Sequence, residues 1–227
     1  MKKIYSVLII IMIMGALVAM ASYTEAMLVI KDKRINLNTA SQSDFDEKAI
    51  IDGEISFVYG PFATYEETSK KYGVTVSKKE TNYYIVGNFS EDMLSGDEDY
   101  DQFYVIYSAS DKDMVSKLDD AADKWYNWLT DENDSSLPPE VRIEFSGKLW
   151  TEPTEDDYIK YRDEAFDDLT NIGIDKSMYA ELKINDGEVG KSSVALFFGS
   201  IAVAVIALVI LIASIVKSKK ASSEEFY

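Results

Sequence analysis

The sequence predicts an α+β fold: a mixed, mainly antiparallel sheet with about three helices, flanked by an N-terminal and a C-terminal transmembrane helix. Two long apolar runs near the ends of the chain predict the transmembrane helices. Between them, short stretches alternate between the two-residue period of strands and the roughly 3.6-residue period of helices. The element order is β-α-β-β-β-α-β-α-β, and strands that follow one another directly favour antiparallel neighbours.

The first apolar run extends from Ile4 to Ala21 and is nearly long enough to span a membrane when it is counted through Tyr23. A cleavable secretory signal has an apolar centre of about 7 to 15 residues, whereas a spanning helix needs about 20. Apolar character resumes at residues 26–30, so we predict that residues 1–30 form an uncleaved signal anchor. The Ala19-Met20-Ala21 triplet leaves cleavage after Ala21, giving a single-span surface protein, as the alternative.

The second apolar run, Val194 to Val216, contains no charged residue and is long enough to cross a hydrocarbon core of about 30 Å at about 1.5 Å per residue. We predict a transmembrane helix over residues 191–216. The lysines of the following segment, 217–227, favour a short cytoplasmic tail. The domain at residues 31–190 is then expected to be extracytoplasmic, in a cell membrane protein with two spans.

Small residues form a stripe along the second span, because Ala195, Gly199 and Ala207 recur at multiples of four. Another helix can approach closely at such a stripe, although small residues are common in membrane helices generally. Besides the lipid bilayer, the expected partner is therefore another membrane protein. Gly15 and Ala19 of the first span are an alternative partner within the chain.

The first half of the central domain is predicted to hold four strands and one helix. A strand over 55–59 ends at Gly60-Pro61, and Pro61 opens a short helix that extends to Tyr72. Strands follow at 74–78 and 82–89. The stretch QFYVIYS, residues 102–108, is apolar on both faces, which predicts a central strand of the sheet.

The second half of the domain is predicted to hold two helices and two strands. The first helix, capped by Ser110, has apolar residues at spacings of 3, 4, 3 and 4. These residues are Val115, Leu118, Ala122, Trp125 and Leu129. A strand over 141–150 follows, with Gly147 as a candidate bulge. A helix over 155–171 and a strand over 179–184 complete the domain.

Composition limits the chemistry that this chain can perform. It has no cysteine and no histidine, so thiol nucleophiles, thiolate metal sites and histidine general bases are excluded. The formal charge is −17, from 40 acidic and 23 basic residues. An acidic surface disfavours nucleic acid and favours a cationic partner. We therefore predict no enzymatic activity and no cofactor.

Two groups of acidic residues are candidate cation sites. Asp97, Asp99 and Asp101 have the alternate spacing with which calcium loops begin. The glycine and glutamate that an EF-hand requires further along are missing, so only a loose, weak calcium site is expected. On the helix over 155–171, Asp163 with Asp167 and Glu164 with Asp168 are like-charge pairs, whose mutual repulsion a cation would relieve.

The stretches GEISFVYGPFATYEETSKKYG, NYYIV and FSGKLW resemble an uncharacterised family of small two-span membrane proteins from Gram-positive gut bacteria. The resemblance implies a central α+β domain of unknown function in a bacterial cell envelope, and it implies no activity or ligand. The function expected is a membrane-anchored extracytoplasmic binding or scaffold module, an accessory or sensor component of an envelope complex. A carboxylate-dependent cell-surface hydrolase or a calcium-dependent binding module is the alternative.

Overall fold

The computed structural model describes residues 2–31, 34–45, 48–71, 74–88, 104–130, 137–171, 179–187 and 191–224. The chain divides into two compact units. One unit comprises Met1–Asp32 together with Val189–Tyr227, and the other comprises Lys33–Glu188.

The first unit is a pair of long helices, α1 (Lys2–Ile30) and α4 (Lys191–Glu224). Both contain a segment long and apolar enough to cross a membrane, Ile4–Ile30 and Ser192–Ser218. The helices pack antiparallel, because residues early in α1 contact residues late in α4. The Tyr5 hydroxyl donates to the Ser214 carbonyl oxygen at 3.3 Å, whereas the Tyr23 ring lies 5.8 Å from the Phe197 ring. Helix α1 continues past Ala21 without a break.

The second unit is the α+β domain that the sequence predicts, built on a mixed seven-stranded sheet. Its strands are β1 (Arg34–Asn36), β2 (Ile50–Ile55), β3 (Phe57–Lys71), β4 (Val74–Gly87), β5 (Tyr104–Ala109), β6 (Ile143–Thr151) and β7 (Tyr179–Asp186). They lie in the order β1-β2-β6-β7-β5-β4-β3. Four of the six pairings are antiparallel, and β1 with β2 and β5 with β7 are parallel. The predicted fold class is thereby confirmed.

Strand β5 is the centre of the core, as its apolar sequence predicts. All six of its residues are buried between β4 and β7. Helices α2 (Lys112–Thr130) and α3 (Asp156–Asn171) both pack against β3. Trp125 of α2 is anchored there: its ring contacts Phe57, and its indole N–H donates to the Ser56 carbonyl oxygen at 2.8 Å.

The helix predicted from Pro61 to Tyr72 is wrong, because β3 continues as a strand from Phe57 to Lys71. Pro61 has no N–H to give, and it lies where the register between β3 and β4 shifts, a position that tolerates proline. The two strands predicted at 74–78 and 82–89 are one strand, β4. The third helical segment of the domain is instead a 3-10 turn, Gln42–Asp44.

Gly147 is not at a bulge, because β6 keeps its register through this residue against both β2 and β7. A Cβ atom there would lie 2.7 Å from both the Asn185 carbonyl oxygen and Ile184 Cγ2. Glycine therefore permits close packing between two strands rather than a change of register.

Candidate cation-binding cleft

A distortion of β3 opens the cleft that we assign as the candidate site. Gly60 adopts a φ of +121°, and a Cβ atom there would lie 2.8 Å from the Phe62 nitrogen and 3.3 Å from the Tyr83 carbonyl oxygen. Only glycine fits this conformation and this space without strain. The shift of register between Tyr59 and Ala63 turns the strand locally, and α2 and α3 form the walls above it.

The cleft has a volume of about 400 Å³ and brings together tyrosine rings and carboxylates. The six side chains that matter to its chemistry are Tyr59, Asp123, Tyr126, Tyr161, Glu164 and Asp168. They come from three elements that are distant in sequence. We refer to this site as the Tyr–carboxylate cleft.

Helical periodicity places the wall residues on the cleft. On α3, Tyr161, Glu164 and Asp168 are three and then four residues apart, so they share one face of the helix. On α2, Asp123 and Tyr126 are three apart, beside the buried Trp125 that fixes the helix against β3. The rigid packing of both helices therefore sets the spacing of the site.

Tyr59 forms the floor and is held by a hydrogen bond. Its hydroxyl donates to Asp168 Oδ2 at 3.0 Å. Burial, followed by this bond to the Asp168 carboxylate, raises the pKa of the Tyr59 phenol to about 12. The phenol therefore stays neutral at physiological pH and presents an aromatic ring beside a carboxylate.

The wall tyrosines present accessible rings. Tyr126 is 63% exposed and Tyr161 is 47% exposed. The Lys160 ammonium already lies 5.8 Å from the centre of the Tyr161 ring and 3.8 Å from Glu164, a geometry that combines a cation–π contact with an ion pair. Rings and carboxylates in this combination can recognise an organic cation such as an ammonium group.

The cation sites predicted from the sequence can be compared with the structure, beginning with metal coordination. In the part of the chain that the structure describes, no group of three or more Asp or Glu side chains is arranged to hold a metal ion. Asp97, Asp99 and Asp101, the predicted weak calcium site, lie outside the described residues. The like-charge pairs predicted on α3 are relieved by other means: Arg162 binds Asp163 at 2.9 Å, and the Tyr59 hydroxyl binds Asp168.

A second charged cluster, around Glu152, Tyr158 and Arg162, lies on the buried side of α3 and is structural. The Glu152 side chain is only 8% exposed, and its Oε2 accepts from Arg162 at 2.9 Å and from the Tyr158 hydroxyl at 3.2 Å. Burial raises the pKa of the Glu152 carboxyl, and Arg162 opposes that effect. Burial likewise lowers the pKa of Lys183 in the same cluster. Glu152 Oε1 has no hydrogen-bond partner among the described residues.

The three residues of the small-residue stripe on α4 have different surroundings in the structure. Gly15 of α1 packs against two small residues of α4 outside that stripe: a Cβ atom on Gly15 would lie 2.9 Å from the Ser200 carbonyl oxygen and 3.1 Å from Ala204 Cβ. Ala207 is buried, whereas Ala195 and Gly199 line an apolar groove of about 660 Å³ within the helical pair. Gly15 therefore approaches Ser200 and Ala204, and a Cβ atom on Gly199 would have nothing within 4 Å.

Sequence reasoning identified Glu164 and Asp168 but missed the three tyrosines and Asp123. A signal for Tyr126 exists in the sequence, because it lies three residues after Asp123 on a helix whose apolar stripe predicts the buried Leu118, Ala122 and Trp125. Tyr59 gave no such signal, since the region after it was interpreted as a helix and its position beneath α3 depends on the sheet.

Comparison with known proteins identifies the family of this chain but assigns it no activity. A family profile described as a domain of unknown function (DUF8577) matches residues 1–217. The match confirms the resemblance to an uncharacterised family that covers most of the chain. A comparison with curated proteins found no match.

Proposed function

The chain belongs to the family described as a domain of unknown function (DUF8577), and from its geometry we propose that it is a membrane-anchored extracytoplasmic binding module. Its Tyr–carboxylate cleft takes up a cationic group, such as the ammonium of a lysine side chain. The module is an accessory or sensor component of a bacterial cell-envelope complex. It binds and performs no chemistry.

The observation that carries the proposal is the composition of the cleft. Three tyrosine rings and three carboxylates line about 400 Å³. A cation within about 6 Å of a tyrosine ring gains about 0.5 to 2 kcal/mol, and a neighbouring carboxylate adds attraction of the same sign. The neutral Tyr59 phenol keeps Asp168 oriented, so the site needs little rearrangement to accept the cation.

Contacts between α1 and α4 support the proposal that both helices are retained as membrane anchors. If α1 were removed as a signal peptide, α4 would lose the helix that packs on Ser200 and Ala204. The Ser193 hydroxyl would also lose its bond to Glu25 Oε2, which measures 2.9 Å. Contacts of this kind favour a retained first span. The lysines that follow the second span favour a cytoplasmic tail and, with it, an external domain.

Ligand titration of the detergent-solubilised full chain tests the cleft. The probe is n-butylammonium, which has the ammonium and alkyl stem of lysine, and n-pentanol is the neutral probe of similar shape. Saturation-transfer NMR should show contact of n-butylammonium with the protein at about millimolar concentration, the affinity expected of so small a ligand. n-Pentanol should give a much smaller signal.

The matched variants lie on the same helix. E164Q/D168N removes two charges from the cleft and should reduce the n-butylammonium signal severalfold, because it removes the ion pairing. D157N/D167N removes two charges from exposed positions outside the cleft and should leave the signal unchanged. Y126L should weaken binding by removing a ring. Equal binding by all four proteins would contradict the proposal, because the ligand would then bind outside the cleft. An equal decrease in the two double variants would also contradict it, because the attraction would then come from net charge alone.

A carboxylate-dependent hydrolase is the second candidate, because Asp123, Glu164 and Asp168 share one cleft. Such enzymes place two carboxylates about 5 to 10 Å apart around the bond that is cleaved. The same variant separates the candidates. Turnover of glycoside or peptide substrates that disappears in E164Q/D168N and persists in D157N/D167N would establish the hydrolase and overturn the binding module.

A further inference from the structure

Two strands of the sheet extend far beyond their neighbours. Strand β4 pairs with β5 only from Asn82 to Gly87, yet its pairing with β3 continues to Val74 opposite Lys71. Residues 64–71 and 74–81 therefore form a two-stranded ribbon, which we call the β3–β4 arm. Its described side chains from Thr64 to Ser69 and from Ser77 to Glu80 are exposed.

Most of the arm lacks the packing that normally stabilises a hairpin, although Lys78, Lys79 and Glu80 line a groove beside Asp119 and Asp120 of α2. An isolated two-stranded hairpin is at best marginally stable in water, because neither face is buried. Tyr65, for example, is 60% exposed on this ribbon. A surface that covered the arm would stabilise it, and this is the first indication that the arm is a contact element.

The charge of the arm is opposite in character to that of the rest of the chain. It carries four lysines, at positions 70, 71, 78 and 79, against three glutamates, whereas the whole chain has a formal charge of −17. The arm thus has a net charge of +1, and its lysines are complementary to the acidic remainder of an identical molecule. Within the arm, Lys78 already binds Glu66 at 2.7 Å, but Lys79 forms no ion pair with any described residue.

The arm cannot reach the cleft of its own molecule. Lys79 pairs with Glu67, six residues along β3 from Pro61 at the cleft. At about 3.3 Å per residue, the strand places the arm lysines about 20 Å from that cleft. A lysine side chain covers only a fraction of this distance, so any contact between arm and cleft must join two copies.

We propose that the β3–β4 arm of one copy docks in the Tyr–carboxylate cleft of a second copy, with the Lys79 ammonium between the tyrosine rings and the carboxylates of Glu164 and Asp168. This inference rests on the proposed function, because it names the cation that the cleft receives. The contact joins two different surfaces, so each copy retains one arm or one cleft for a further neighbour. Copies anchored in one membrane meet at high effective concentration, which favours such a contact.

Carbodiimide crosslinking of the full chain in phosphatidylcholine vesicles tests the docking, since this reagent joins an ammonium directly to a carboxylate. The wild-type chain should give covalent oligomers in which Lys79 is joined to Glu164 or Asp168. In a mixture of ¹⁴N- and ¹⁵N-labelled chains, mass spectrometry should find peptides that combine the two isotopes. K79Q should lose these oligomers, whereas K78Q, with the same charge change one residue away, should retain them.

A mixture of two defective variants provides the sharpest measurement. K79Q has an intact cleft, and E164Q/D168N has an intact arm, so neither should crosslink alone. Mixed in equal amounts, they should form dimers and nothing larger, because only one productive contact exists per pair. Failure of the mixture to form dimers would overturn the proposal, as would crosslinks confined to single chains.

The remaining outcomes separate this inference from its alternatives. Association that requires anionic phosphatidylglycerol and survives E164Q/D168N would show that the arm binds lipid headgroups, which overturns the docking. Binding of n-butylammonium in the cleft without any crosslink through Lys79 would also overturn the docking while leaving the proposed function standing. Loss of both n-butylammonium binding and the Lys79 crosslink would overturn the proposed function and the docking together.

Discussion

At the scale of single residues, the acidic side chains of this domain act as hydrogen-bond acceptors for tyrosine. The pairs are Tyr59 with Asp168, Tyr84 with Asp119, Tyr107 with Asp186 and Tyr158 with Glu152. In each of them, burial raises the pKa of the phenol, and the carboxylate raises it further. All four phenols therefore remain neutral donors. Part of the large acidic content of the chain thus has a structural role inside the domain.

Arg162 should be the most sensitive charged residue of the domain. R162M leaves the buried Glu152 carboxylate without its ion pair, and breaking a buried pair typically costs about 3 to 5 kcal/mol. Thermal unfolding of the full chain in detergent, followed by tryptophan fluorescence, should show a large decrease in midpoint temperature. The matched control is R142M, whose partner Glu140 is 81% exposed, and it should change stability by at most about 1 kcal/mol.

The effect of R162M should depend on pH with a defined sign. Burial raises the pKa of Glu152 above its ordinary value of 4.5, and the variant removes the arginine that opposes this rise. A group whose pKa is raised in the folded state contributes stability below its unfolded pKa and loses that contribution as pH rises through the folded pKa. The deficit of R162M against the wild type should therefore be smallest near pH 4.5 and grow toward pH 7. A deficit independent of pH would contradict this account of Glu152.

At the scale of elements, the close approach of α1 and α4 depends on Gly15. G15L would place a bulky side chain against the backbone of Ser200, and overpacking of this kind costs about 1 to 3 kcal/mol. G199L is the control, because a Cβ atom on Gly199 has nothing within 4 Å. The chain has no cysteine of its own, so the pairing can be measured through an introduced pair, E25C/S193C.

A short thiol crosslinker should join E25C to S193C efficiently in vesicles. The yield should fall strongly in the G15L background and remain unchanged in the G199L background. Equal yields in both backgrounds would show that the helices do not pack through Gly15.

The elements also show how far the sequence alone leads. Helices α2 and α3 and strands β5 and β7 have regular apolar patterns that local reasoning can read. The segment from Pro61 to Tyr72 begins with a proline, is followed by Gly73 and has several charged residues, so it fits a helix as well as a strand. Its true state is decided by pairing with β4, which the segment itself does not encode. Even within α2, the first turn is capped by Asp111 Oδ1, 3.1 Å from the nitrogens of Asp113 and Met114, rather than by Ser110.

The candidate site was predictable only in part for the same reason. Two of its carboxylates, Glu164 and Asp168, lie four residues apart on one helix, and this spacing predicts that they repel each other. The tyrosines come from β3, α2 and α3, and only the sheet and the packing of Trp125 and Phe57 bring them together. A site assembled from three distant elements leaves no local pattern.

At the scale of the whole molecule, the chain consists of a helical pair and an acidic domain that carries the Tyr–carboxylate cleft and the β3–β4 arm. Two anchors would hold the domain near a bilayer. The whole chain has 40 acidic and 23 basic residues, an excess that disfavours anionic surfaces and favours cationic partners. The arm is the exception to that charge and is therefore the element suited to contact between copies. The helical pair requires that α1 stay attached to the rest of the chain.

Mass-spectrometric sequencing of the protein extracted from cell membranes shows whether α1 is retained. We expect residues 4–21 to remain attached to the rest of the chain, because α1 continues through Ala21 and packs along α4. A mature chain that begins at Ser22 would contradict it: the protein would then have one anchor, and the helical pair would not exist in the membrane.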